Sequence, residues 1–225
     1  TLRLRRARWY RKPSPMRPRL TLCLLLLCPL FQLSASDWPR WRGPTGDGHA
    51  DPAQKVPEKW SESEKIVWRS PLRGRGHSSP TVAGNRIFLS TADTAAQEQL
   101  VLCLDRATGR ELWATVVHRG NLDSGNHRLS SPAASSVTWD GERLYVLFGD
   151  LGLYCYNLDG KPLWSNPIEP KKTLLDYGAA ASPVVHDGQV FVVYDNKEES
   201  WIASFEASTG EQRWRTARDE THSWA

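Results

Sequence analysis

Methionine is almost missing from this sequence: among 225 residues there is one, Met16. That scarcity makes Met16 the expected natural start and residues 1–15 an upstream extension. Cysteine is sparse too, at four, with no two adjacent and no Cys-x-x-Cys or His-x-x-x-His pairing. A metal site therefore has no support in the pattern. Beyond residue 36 there is no excess of positive charge. Residues 37–225 hold 21 basic and 25 acidic side chains, and the overall +4 comes from eight basic residues in the first 36. The main electrostatic argument for nucleic-acid binding falls with that balance. No segment past residue 36 sustains a 3.6-residue apolar period, so almost no helix is expected. What is present is 16 Gly, 15 Pro and 11 Trp, the make-up of a folded, turn-rich chain.

From Met16, two arginines (Arg17, Arg19) precede an apolar stretch from Leu20 to Phe31, and Ser34 and Ser36 then supply small residues at the −3 and −1 positions. This order of regions predicts a signal peptide over 16–36, cleaved after Ser36. A membrane-spanning helix needs about 20 apolar residues, and Pro29 and Gln32 interrupt the run too early. The mature chain is thus expected to begin at Asp37, to have no transmembrane segment, and to reside in the periplasm or outside the cell. Cys23 and Cys28 leave with the signal. Cys103 and Cys155 remain, and are expected to be buried free thiols, because equivalent positions on neighbouring repeats diverge beyond disulfide reach.

An internal repeat organises the rest. CLDRATGRELWAT, CYNLDGKPLWSN and SFEASTGEQRWRT align on Trp113, Trp164 and Trp214, which are 51 and 50 residues apart. A second series aligns on Pro80, Pro132 and Pro183, spaced 52 and 51. Each unit reads as four short antiparallel strands. The Ser-Pro landmark opens the first, and turns at Gly84-Asn85, Asp140-Gly141 and Asp187-Gly188 follow it. Runs such as Leu144–Leu147 and Val190–Val193 suit a buried second strand. The third strand is expected to end at Thr108-Gly109, Asp159-Gly160 or Thr209-Gly210, and the fourth carries the tryptophan. Such a unit cannot bury both faces alone, and radial stacking yields a β-propeller. The fold class is therefore all-β, a propeller of four-stranded antiparallel blades of about 50 residues each. Trp68, Trp113, Trp164 and Trp214 become wedges between blades, with Gly109, Gly160 and Gly210 at the turns. About three full blades are present over 68–225, preceded by a leader over 37–67, so the chain is expected to be the N-terminal part of a longer propeller, an open arc with exposed blade faces.

The run Leu-Asp-x-x-Thr-Gly-x-x-x-Trp at Leu104–Trp113, and in altered form at Phe205–Trp214, resembles the tryptophan-docking motif of the quinoprotein, or PQQ-like, β-propeller repeat family. The opening Asp37-Trp38-Pro39-Arg40-Trp41-Arg42-Gly43-Pro44 resembles the leader of its secreted bacterial members. The middle unit departs from the motif: Asn157 replaces the Asp, Asp159 replaces the Thr, and it is one residue shorter. This resemblance implies pyrroloquinoline quinone with calcium, and oxidation of an alcohol or sugar, in the enzymes of the family. The vicinal cysteines and ligand constellation of those enzymes are not found in this sequence, so no catalytic residue and no cofactor are assigned. It equally implies a non-catalytic member, including one like the propeller lipoprotein of outer-membrane protein assembly, although Asp37 rather than an acylated Cys follows the cleavage site.

The binding candidates are Arg75, His77, His127, Arg128, Tyr177 and His222, which lie just before innermost strands and so at a rim of the central channel. There they would meet a protein or a small polar ligand; the alternative is that they only hydrogen-bond neighbouring backbone. The Trp38–Arg42 stretch reads either as an aromatic-cationic surface patch or as a segment packed across the propeller edge. The function expected is a binding or scaffolding platform.

Overall fold

A computed structural model describes residues 36–120, 122, 127, 129–149 and 151–223. The expected signal segment before Ser36, with Met16, Cys23 and Cys28, lies outside the described residues, as does Arg128.

Three four-stranded antiparallel sheets follow one another along the chain. The first holds β1 (Thr81–Ala83), β2 (Arg86–Asp93), β3 (Glu98–Asp105) and β4 (Glu111–Arg119). The second holds β5 (Thr138–Trp139), β6 (Arg143–Phe148), β7 (Gly152–Asn157) and β8 (Pro162–Pro167). The third holds β9 (Val184–His186), β10 (Gln189–Tyr194), β11 (Trp201–Glu206) and β12 (Gln212–Ala217). Each sheet is a meander in sequence order, and the first strands β1, β5 and β9 adjoin one another, which makes them the innermost. Among the described residues the one helical element is a 3-10 turn at Leu174–Asp176, and no helix is long and apolar enough to cross a membrane.

The cores lie between sheets. Because side chains alternate across a strand, Leu144, Val146 and Phe148 of β6 face the first blade and pack with Phe88, Val101 and Cys103. Their neighbours Tyr145 and Leu147 face the third and pack with Val190, Val192 and Phe205. Both faces of the middle sheet are buried, as radial stacking requires. Cys103 and Cys155 are free and fully buried.

The third strands end earlier than the sequence suggests, at Asp105, Asn157 and Glu206. Asp105 shows why. Its carboxylate accepts from the backbone N–H and the hydroxyl of Thr108 (2.9 and 2.7 Å), and its carbonyl accepts from the Gly109 N–H (2.8 Å). The chain turns there instead of extending. In the shorter middle turn Asn157 does the same work, with its side-chain oxygen accepting from the N–H groups of Asp159 and Lys161. Just before each turn the pairing of third and fourth strands slips by a bulge, between Cys103 and Leu104, Cys155 and Tyr156, and Ser204 and Phe205. Thus Trp113, Trp164 and Trp214 stand opposite Cys103, Cys155 and Ser204.

The Ser-Pro landmark of the middle unit is displaced. Ser79 and Ser136 are joined by a hydrogen bond from the Ser79 N–H to the Ser136 hydroxyl (2.8 Å), and the Ser136 N–H reaches Ser182 in the same way (3.0 Å). Thr81 and Thr138 repeat the relation one step on, donating to the carbonyls of Val137 (2.5 Å) and Pro183 (2.6 Å). Val137, and not Pro132, therefore occupies the place of Pro80 and Pro183. Pro132 lies in the preceding rim segment, where its carbonyl accepts from the Gln99 amide at 2.7 Å.

The leader packs across the edge of two blades. Trp38 forms a two-bond bridge with Val82, Asp37 accepts from the Gly84 N–H at 2.7 Å, and the Pro39 carbonyl accepts from the Trp139 N–H at 2.8 Å.

Candidate functional site

Each innermost strand is preceded by a segment that crosses one end of the arc, and these segments meet. A cleft of about 440 Å3 is lined by His77 from the first, Leu129, Ser130 and Ala134 from the second, and Tyr177, Gly178 and Ala180 from the third. Its small residues leave room between two ring systems.

His77 is tied to the second blade twice: its N–H donates to the Ala133 carbonyl (2.9 Å), and Nδ1 pairs with the Ser131 hydroxyl (3.0 Å). The ring itself is exposed. Tyr177 is delivered by the 3-10 turn, in which Leu175 and Asp176 take left-handed conformations (φ 51° and 57°). A leucine in that region is strained, and such strain clusters where a neighbour must be aimed. The Tyr177 ring lies 4.4 Å from that of His127, and its carbonyl accepts from the Ser130 hydroxyl at 2.5 Å. The Leu129 N–H donates to His127 Nδ1 (3.2 Å), which places a neutral ring's proton on Nε2. Two apolar side chains in the same segments remain open to solvent, Leu129 at 58% and Leu175 at 60%.

The geometry thus assembles His77 and Tyr177 in one cleft, with the His127 ring tilted at 51° against that of Tyr177. Arg75 and His222 are not among the lining residues. The Arg75 backbone forms a bridge to Ala92 of β2 (2.8 and 3.0 Å). His222 pairs with the Thr221 hydroxyl (2.9 Å) on a segment anchored by Arg218, whose guanidinium grips Asp195 through two bonds of 2.8 and 3.2 Å. Leu129, Ser130, Ala134, Gly178 and Ala180 were not singled out from the sequence; apolar and small residues in a loop carry no chemical signature. Among the described residues no group of three His, Cys, Asp or Glu side chains is placed to hold a metal.

At the other end, a cleft of about 500 Å3 lies between the leader and the turns at Asp140-Gly141 and Asp187-Gly188. It is lined by Trp139, whose buried Nε1 has no hydrogen-bond partner among the described residues.

The tryptophans make three joints of one design. Trp68, Trp113 and Trp164 donate from Nε1 to the carbonyls of Arg106 (2.9 Å), Leu158 (3.1 Å) and Ala207 (3.0 Å) on the third-to-fourth-strand turn of the next blade. Their rings cover Gly109, Gly160 and Gly210, where a β-carbon would come within 2.4, 2.7 and 2.5 Å of the indole.

The family model described as outer membrane protein assembly factor BamB, a PQQ-type model, matches residues 59–223. No curated protein matches the sequence. Among solved structures, quinohemoprotein alcohol dehydrogenase from Comamonas testosteroni aligns over 82% of this chain at 17% identity, with a TM-score of 0.56. Quinohemoprotein alcohol dehydrogenase ADHIIG from Pseudomonas putida HK5 aligns over 68% at 21% identity (TM-score 0.50), and a europium-containing methanol dehydrogenase over 65% at 15% identity (TM-score 0.50). The matched regions span 28%, 22% and 25% of those chains, respectively. At such identities the likeness concerns the fold: four-stranded blades of a β-propeller. With the family model covering most of its length and the same tryptophan joint repeated between its blades, the chain belongs to the PQQ-like β-propeller repeat family, the one described for the outer membrane protein assembly factor BamB.

Proposed function

We propose that this chain forms part of an exported propeller that works as a binding platform, taking a polypeptide over the axial rim. One observation carries the reading: three successive blades deliver His77, Ser130 and Tyr177 to one cleft that the solvent-exposed Leu129 also lines, with Leu175 exposed two residues before Tyr177 in the chain. Exposed apolar side chains next to aromatic rings and a few hydrogen-bonding groups are the make-up of a protein-contact patch. The description of the matching family, an assembly factor for outer-membrane proteins, supports a protein partner. The signal-like order of residues 16–36 supports export to the periplasm or beyond.

The resemblance raises pyrroloquinoline quinone with calcium, and the rim cleft allows the fit to be tested. The quinone is a polycarboxylate, and calcium takes six to eight oxygen ligands, mostly carboxylates and carbonyls. Among the described residues the lining has no Asp, Glu, Asn, Arg or Lys. These residues do not fit the group, and no redox step is derived through it.

The test is photo-crosslinking in the exporting cell, with a photoreactive phenylalanine analogue at Leu129 or at Tyr177, and at Leu112 on the outer strand as control. Polypeptide adducts at the two rim positions well above those at Leu112 are expected. Equal labelling at all three, or adducts at none, overturns the reading. A rim that binds a small polar ligand instead would give no polypeptide adducts and a ligand-dependent change in Tyr177 fluorescence.

A further inference from the structure

The leader uses the innermost strands of the first two blades in the same way. In β1, Ala83 pairs with Arg86 to close the hairpin and exchange the ladder bonds, so the N–H and C=O of Val82, one residue back, point away from β2. Trp38 takes both, at 2.9 Å each. In β5 the Trp139 N–H donates to the Pro39 carbonyl at 2.8 Å. β9 repeats the arrangement: His186 pairs with Gln189 to close the hairpin, and the N–H and C=O of Val185 are turned out from β10. The leader does not reach them. The Arg40 guanidinium donates to the Gly43 and Pro44 carbonyls (3.2 and 2.8 Å) and folds the chain back into a turn. Among the described residues no hydrogen bond reaches the Val185 backbone from this side. The cleft of about 500 Å3 runs between the leader turn, Trp139 and Val185.

We infer that this cleft is a strand-addition site, in which an extended segment of a partner polypeptide pairs with Val185 as Trp38 pairs with Val82. A donor and an acceptor side by side on an open strand edge are a template for another strand. A following blade is not that strand. A blade follows β1 and another follows β5, yet the leader, and not those blades, bonds their inner edges. The lining sets Arg40 and His186 against Asp140 and Asp187, a balance that selects a partner of neither sign. The main chain therefore supplies the affinity and many sequences are accepted, provided that the residue opposite Val185 is not proline, which has no N–H to give. The site lies at the end of the arc opposite the rim cleft and does not rest on the rim reading.

Fluorescence polarisation on the full chain tests this, with a fluorescein-labelled Thr-Val octapeptide flanked by lysines as the probe and its backbone N-methylated counterpart as control. The octapeptide is expected to bind the parent chain. The N-methylated form is expected to bind roughly 3- to 10-fold more weakly, the loss of one backbone hydrogen bond. Val185→Pro removes the N–H on the side where β10 takes no bond, a place where an edge strand accepts proline, and is expected to weaken the octapeptide by the same factor of roughly 3 to 10. Exchange of the Val185 amide, followed by NMR, is expected to slow when the octapeptide is added. Should the Val185→Pro chain fail to fold, the N-methylated peptide and the amide exchange decide. A parent chain that binds neither peptide, or both equally, overturns the inference, as does a folded Val185→Pro chain that binds like the parent. A Val185 amide already slow to exchange without peptide also overturns it, since a segment of the same chain would then hold this edge. The crosslinks at Leu129 read the other cleft, so the two readings fail separately.

Discussion

The indole of Trp113 occupies the space where a side chain on Gly160 would begin: a β-carbon built there lies 2.7 Å from the ring, while the Trp113 N–H reaches past it to the Leu158 carbonyl. One residue supplies the wedge and the other the vacancy, on different blades, 47 positions apart in the sequence. Gly160 also has φ of 77°, so two constraints fix glycine there, one conformational and one steric.

Separating those constraints gives the first prediction. Gly84 has φ of 56° with nothing near its missing β-carbon, so Gly84→Ala should carry only the left-handed penalty, about 1–2 kcal/mol. Gly160→Ala should cost clearly more, and Trp113→Ala roughly 3–5 kcal/mol, the range for removing a large aromatic from a core. In a double-mutant cycle by urea unfolding, Gly160→Ala should lose most of its extra cost in the Trp113→Ala background. Additive values would show that the two residues do not share the site.

The hydroxyl lacing between blades gives the second. Thr138 is 1% exposed and donates to the Pro183 carbonyl at 2.6 Å. Thr138→Val keeps the shape and strands that carbonyl, at an expected cost of about 1–3 kcal/mol. Thr45, whose hydroxyl bonds Asp47 on the exposed leader, should tolerate the same change within about 0.5 kcal/mol. Equal effects at the two positions in thermal melts would remove the lacing from the account of stability.

These two predictions differ in how far the sequence announced them. The tryptophan-glycine joint was legible because both members recur at a fixed distance and each has a physical reason to recur. The lacing was not, because Ser and Thr are common and the middle unit contains two Ser-Ser pairs, 130–131 and 135–136. The proline after the first pair drew the alignment to Pro132, whereas the second pair makes the joint and Val137 follows it. Five extra residues before the strand moved into the rim segment, where Ser131 binds His77. The rim itself was half legible: ring residues before an innermost strand stand out, while Leu129 and the left-handed turn at Leu175 and Asp176 leave no mark in a single sequence.

Acid sensitivity gives the third prediction. Burial alone pushes the Asp195 carboxyl up, but the Arg218 guanidinium, the Ser223 hydroxyl and the charge of His222 together outweigh it and hold the group below its usual value. A depressed folded value means that its contribution is present above the unfolded value, near 3.9, and is lost as pH falls through the folded one. Asp195→Asn should therefore be less stable than the parent at pH 7 and show a shallower loss of stability below about pH 4. Parallel pH profiles from chemical unfolding would contradict this.

The thiols behave in the opposite sense. Burial pushes Cys103 up to about 11 and Cys155 up to about 12. The unfolded thiol titrates near 8.5, so the stabilisation is complete below that pH and is lost as pH rises through the folded values. At pH 8, a thiol reagent followed by peptide mapping should leave both residues unlabelled in the native protein, and label both in urea. Native labelling of either at the unfolded rate would mean that the cores between the blades open more readily than their packing implies.

The last prediction separates a platform from an oxidoreductase. A quinone held over the axis with calcium requires oxygen ligands for the ion and cationic groups for the carboxylates. The rim cleft offers imidazole, phenol and hydroxyl groups between alanine, glycine and leucine walls. Protein incubated with pyrroloquinoline quinone and calcium should therefore show no alcohol- or sugar-dependent reduction of an artificial electron acceptor above the cofactor-free background. Weak binding of the quinone without turnover is compatible with a polar rim, because His77 and Tyr177 can stack on and hydrogen-bond a planar ring. Substrate-dependent turnover that His77→Ala or Tyr177→Ala abolished would place redox chemistry in this cleft and displace the platform reading.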